Sequence, residues 1–184
     1  NILMLGSAFI SIFVLSGSVT DPVNVTKLLA LGGVAGAASA IVISFGLSRL
    51  LAAHKILLML VLIFFLTVIN SVIQSSAPMA QLIYGAYGRN TGLVTYLLLC
   101  LLFVASTSLS KSTSFMKVSY GLLAAGFINV VYSLWVTLFG DFIGWTNPYG
   151  NILGTLGNPN FIGAFLGMFS SVLVSLLIAN LQNL

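Results

Sequence analysis

Charge is almost absent from this chain, and where it does occur it is far apart. Six basic and two acidic side chains punctuate 184 residues, with none between Lys55 and Arg89, Arg89 and Lys111, or Lys117 and Asp141. The stretches between them are built mostly from Leu, Ile, Val, Phe and Ala. A water-soluble domain carries about 25% charged residues, and a chain with 4% cannot cover a water-facing surface. With a mean hydropathy of +1.17, most of its surface is expected to meet lipid. Inside hydrocarbon every backbone polar group must find a partner within its own segment, so the apolar runs are expected to be helices. The period-two alternation of a membrane barrel is missing. The expected fold class is therefore all-α, a polytopic membrane helix bundle.

A bilayer core takes about 20 residues of apolar helix. On that measure six spans are expected, at roughly 2–18, 27–46, 56–74, 92–109, 118–139 and 160–180. They form one transmembrane domain over residues 1–184. The chain begins at Asn1 without an initiator Met and stops at Leu184 just after an apolar run. It reads as a portion of something longer. The first run lacks the basic start and small-residue cleavage site of a signal peptide.

Lys and Arg set orientation in such proteins. Arg49 and Lys55 fall in the loop after the second run, and Lys111 and Lys117 in the loop after the fourth. Lys27, Arg89 and both acids, Asp21 and Asp141, fall on the alternate loops. Four cations against two put the N-terminus and the 47–55 and 110–117 loops in the cytoplasm. The loops at 17–26, 75–91 and 140–159 then face outward.

Several polar or small residues are assigned ordinary structural roles. Gly32, Gly36 and Ala40 make a small-residue row suited to close helix approach. Asn70, Gln74 and Asn129 are expected to face the bundle interior and bond between helices. Lys27 is expected to snorkel at a span boundary. Cys100 reads as an inert thiol, and His54 as a loop residue on the cytoplasmic side. One His, one Cys and two distant Asp cannot supply a metal site, so no metal and no cofactor is expected. Six basic residues make no stripe for nucleic acid.

The outward loops differ from the cytoplasmic ones. Residues 75–92, "SSAPMAQLIYGAYGRNTG", gather glycines and tyrosines around Arg89, and residues 140–160 add Trp145, Tyr149 and further glycines. Irregular backbone at membrane depth is tolerated only inside protein or along a wet cavity. Aromatic anchoring accounts for Trp145 and the tyrosines, but not for Arg89. Asn158 is a favoured helix cap and Pro159 a favoured first residue, so the last helix is expected to start at Pro159. Its N-terminus, with Gly154 and Gly157 allowing close approach, could seat an anion together with the planar fork of Arg89. A simple Arg89–Asp141 ion pair is the competing account of that arginine.

"YGAYGRNTGLVTYL" and "GTLGNPNFIGAFL" resemble two signatures of the O-antigen ligase and polymerase superfamily. There, an Arg-x-x-Gly stretch opens one helix and a Gly-x-x-Gly-Asn-Pro-Asn stretch opens a later one. "DPVNVTKLLAL", from Asp21 to Leu31, is similar to the family's first outward loop. The resemblance covers roughly residues 20–170, in the family's order. It implies a membrane-embedded glycosyltransferase of the bacterial inner membrane that takes a glycan from an undecaprenyl-pyrophosphate carrier at the outer face. It also implies that Arg89, Asn158 and Asn160 form the pyrophosphate seat, shaped by Gly88, Gly92, Gly157 and Pro159. The implied partners are the bilayer, the undecaprenyl-pyrophosphate-linked glycan, and the family's C-terminal half or other membrane subunits. The large outward loop that bears the family's catalytic His and Arg has no counterpart in this chain, so catalytic residues are not assigned. Two other readings stand beside this one: a transporter of a small anion such as bicarbonate, and a non-catalytic subunit that keeps the scaffold.

Overall fold

The computed structural model describes residues 2–15, 21, 23–107, 112–143, 147, 150 and 152–181. The described residues are helices and connecting turns, with no strand. The helices are α1 (Ile2–Ile12), α2 (Asn24–Phe45), α3 (Leu47–Ala53), α4 (Lys55–Gln74), α5 (Met79–Tyr84), α6 (Leu93–Ser106), α7 (Ser112–Phe139) and α8 (Pro159–Leu181). A single 3-10 turn, Gly154–Leu156, precedes α8. Their contacts string the long elements into a row in the order α8, α7, α1, α2, α6, α4.

Among the described residues, four helical stretches are long and apolar enough to cross a membrane: Asn24–Ser44, Lys55–Gln74, Met116–Phe139 and Pro159–Leu181. The expected first and fourth spans are shorter than the sequence suggested. α1 has 11 residues and α6 has 14, which at 1.5 Å per residue reach only about 16 and 21 Å. The hydrocarbon core measures about 30 Å. The ends of those expected spans, 16–18 and 108–109, lie outside the described residues, as do Trp145 and Tyr149.

Local chemistry places several boundaries. The Asp21 carboxylate accepts from the backbone N–H groups of Val23 (3.2 Å) and Asn24 (2.8 Å), capping the start of α2. That cap starts the helix three residues before the apolar run does. Gly46 separates α2 from α3, and His54 separates α3 from α4. Asn158 accepts from the Asn160 N–H at 2.9 Å, and α8 begins at Pro159 as expected.

The packed faces correct two expectations. Ala35 and Ala38 are buried on α2, whereas Gly36 and Ala40 are exposed. Gly32 alone of the expected row faces a neighbouring helix, with Leu98 3.8 Å from where its β-carbon would lie. The middle of α2, from Leu28 to Ala38, is apolar on every side and offers no polar face to mark which side packs. Asn70 and Gln74 are exposed rather than interior, and α4 has no buried residue. Asn129, by contrast, is fully buried.

Candidate functional site

The sequence segments around Asp21, Arg89 and Asn158 meet at the first turn of α2. The Asn24 side-chain amide donates to the Asp21 carboxylate (3.1 Å) and to the Gly88 carbonyl (2.9 Å). That second bond ties the start of α2 to the turn carrying Arg89. One residue earlier, Val23 packs so closely on Gly157 that a β-carbon there would lie 2.8 Å from it. Gly157 also has φ +68°, a conformation glycine adopts without strain. The Arg89 turn and the Gly157–Asn160 stretch therefore abut neighbouring residues of one helix start.

The Arg89 turn is itself tightly closed. α5 ends at Gly85, with φ +94°, and the backbone then returns to touch it at Gly92. A β-carbon on Gly92 would lie 2.4 Å from both the Gly85 nitrogen and the Ile83 oxygen. Only glycine fits where two backbones come this close. Asn90 takes a left-handed φ of +47°, and the Thr95 hydroxyl donates to its carbonyl. Gly88 is exposed, with open space where a side chain would be.

The Arg89 side chain is exposed at the rim of a cleft of about 560 Å³ between α4, α5 and α6. Ser71, Ser75, Gln81, Thr91 and Tyr96 are the cleft's other polar side chains. Asn158 and Asn160 are not among its walls; they sit beyond the Val23–Gly157 contact, with the Asn158 carboxamide engaged in capping α8. Asp141, the competing partner for Arg89, accepts instead from the Tyr132 hydroxyl (2.6 Å) and the Ile143 N–H (2.9 Å).

A buried polar node lies beneath this cluster. Asn129 Oδ1 accepts from the backbone N–H and the hydroxyl of Thr155, each at 2.9 Å. The Asn129 amide donates to the Ala125 carbonyl at 3.1 Å. The Thr155 hydroxyl also lies 2.9 Å from the Ser11 carbonyl, so its one proton is shared between two acceptors. Lys27 Nζ donates to the same Ser11 carbonyl (2.7 Å) and to those of Ile10 and Phe13 (3.2 Å each).

Lys27 thus does not snorkel. It caps the carbonyls left unpaired at the end of α1, where a cation is also favoured by the helix dipole. α1 can end short of a full span because this ammonium satisfies its last turn. Sequence reasoning flagged Asn129 and Lys27 separately but missed Thr155 and the node that joins them. The only available signal was a polar residue inside the glycine-rich stretch that precedes Asn158.

Among the described residues no group of His, Cys, Asp and Glu could hold a metal ion. The fold and site define a helical protein with spans for a membrane and a polar, glycine-closed cluster at one end of its helix row. No protein-family model, curated protein or solved structure matches the chain.

Proposed function

We propose that this chain is part of an O-antigen ligase-like membrane glycosyltransferase. On this reading it acts on an undecaprenyl-pyrophosphate-linked glycan at the outer face of the bacterial inner membrane. One observation carries the reading: the segments that resemble the family's signatures abut a single turn of α2, through Asn24 to Gly88 and through Val23 to Gly157. These contacts bring segments far apart in sequence to one helix start, the arrangement a shared site requires.

Arg89 is the group suited to the pyrophosphate. Its planar fork can hold two phosphate oxygens at once. Charge builds on the pyrophosphate as the sugar leaves it, so a fixed cation there lowers the barrier. By the resemblance Asn158 and Asn160 belong to the same seat, although they lie beyond the Val23–Gly157 contact and outside the Arg89 cleft, with Asn158 capping α8. Gly88 and Gly92 give the Arg89 turn its shape. The outer-face assignment rests on the distribution of Lys and Arg.

Glycan transfer in membranes carrying the full-length protein tests this reading. Arg89→Gln is expected to abolish transfer while the protein stays in the membrane at its normal level. Undiminished transfer by that variant would reject the assignment.

A further inference from the structure

Asn24 stands between two groups that can only accept a hydrogen bond. On one side is the Asp21 carboxylate, buried at the start of α2, with Oδ2 3.1 Å from the Asn24 side-chain nitrogen. On the other is the Gly88 carbonyl, at 2.9 Å from the same nitrogen. Neither a carboxylate nor a carbonyl has a proton to give, so each takes one of the two hydrogens of the Asn24 amide. The second Asp21 oxygen, Oδ1, accepts from the backbone N–H groups of Val23 and Asn24. Asp21 therefore cannot turn without uncapping the helix. Asn24 cannot flip without setting its own oxygen against two acceptors.

The Gly88 carbonyl is one pole of the peptide that leads into Arg89. The opposite pole, the Arg89 N–H, donates to the Ala86 carbonyl at 3.0 Å. Both poles of that peptide plane are thus held, one inside the turn and one by α2. The tilt of the plane sets the direction in which the Arg89 side chain leaves the backbone. Gly88 itself adds little restraint, since it has no side chain, open space beside it and a φ of +78°. Exposed turns are mobile unless something ties them down. Here the tie reaches across 64 residues of sequence and ends at a buried carboxylate.

We infer that Asp21 and Asn24 are positioning residues for Arg89. Asp21 orients the Asn24 amide, and Asn24 holds the Gly88–Arg89 peptide so that the guanidinium stays at the rim of its cleft. This role rests on the assignment of Arg89 to the pyrophosphate and adds the groups that aim it.

Swapping the two side chains separates aiming from helix capping. In the double variant Asp21→Asn with Asn24→Asp, position 21 keeps a good capping group and an amide still faces a carboxylate. Position 24, however, has no proton left for the Gly88 carbonyl. In membranes carrying the full-length protein, the swapped variant is expected at normal abundance with glycan transfer lowered by roughly tenfold or more. Hydrogen–deuterium exchange of the purified protein is expected to rise over residues 85–92 and to stay unchanged at the start of α2. Asn24→Ala, which leaves both capping bonds of Asp21 in place, is expected to show the same two changes. Added to Arg89→Lys, the swap is expected to cost little further transfer, because it acts through a side chain already altered. Normal transfer with unchanged deuterium exchange in the turn, in both the swapped variant and Asn24→Ala, would overturn the inference. A full multiplied loss in the Arg89→Lys background would overturn it too. Faster exchange confined to the turn, together with undiminished transfer by Arg89→Gln, would uphold the tether and reject the pyrophosphate assignment.

Discussion

Thr155 donates twice to Asn129 Oδ1, through its backbone N–H and its hydroxyl, across 26 residues of sequence. This pair fixes the 3-10 turn before α8 against the middle of α7, and with it the approach of Gly157 and Asn158 to α2. Removing the Asn129 acceptor leaves the Thr155 N–H buried without a partner. Such a loss costs about 1–3 kcal/mol. Asn129→Ala is therefore expected to lower the thermal stability of the purified protein by that amount. Thr155→Val, which keeps the N–H bond, should cost less. A double-mutant cycle between them should give a coupling of about 1 kcal/mol; additive effects would mean that the two residues do not act together.

Lys27 gives a second expectation, with a sign opposite to the one snorkelling implies. Its ammonium serves three carbonyls at the end of α1, and bonds to a charged group contribute about 1.5–3 kcal/mol. Lys27→Met should reduce stability by at least that range, and Lys27→Gln, which retains a donor, by less. Transfer per molecule of folded protein should stay near normal in Lys27→Gln. Unchanged melting of Lys27→Met would show that these bonds contribute nothing.

The turn around Arg89 depends on glycine in two different degrees. Gly92→Ala would drive a β-carbon into the Ile83 carbonyl and the Gly85 nitrogen, so the turn must open. Gly88→Ala meets only backbone strain, since its φ is +78° and the space beside it is empty; that strain is worth about 1–2 kcal/mol. Gly92→Ala is expected to impair transfer nearly as much as loss of Arg89, and Gly88→Ala several-fold less. Equal effects would remove the distinction between close approach and strain.

How much of this was legible in the sequence follows from the kind of signal each feature leaves. The helical class is legible because an uncharged apolar run in lipid has few alternatives. The start of α8 at Pro159 is legible because capping is local chemistry carried by Asn158 and Asn160. The packed face of α2 is not, since Ala35 and Gly36 are equally small and apolar and only the neighbouring helices choose between them. Asn70 and Asn129 look alike as lone amides in apolar runs, yet one is exposed and the other fully buried. The difference is Thr155, which reaches Asn129 from a distant turn. The short reach of α1 was hidden for the same reason, because its terminating cation lies on another helix.

Orientation has its own check. Cysteines introduced at Ala52 and Arg89, in a background with Cys100 replaced, should differ in their reaction with a membrane-impermeant reagent added outside the cell. Position 89 is expected to react and position 52 to stay protected until the membrane is opened. Equal reaction at both would reverse the reading of the basic residues.

The most direct test of the central claim compares Arg89→Lys with Asp141→Asn, measuring glycan transfer and protein level in the same membranes. Lysine keeps the charge but replaces a two-pronged fork with a point donor. If Arg89 holds a pyrophosphate, Arg89→Lys should lower transfer by about tenfold or more at normal abundance, equivalent to about 1.4 kcal/mol in the barrier. Asp141→Asn, which loosens the Tyr132 and Ile143 contacts, should leave transfer per molecule close to wild type. Full transfer by Arg89→Lys, together with a joint loss of abundance in Arg89→Ala and Asp141→Asn, would contradict the account and make the arginine a structural partner of the acid.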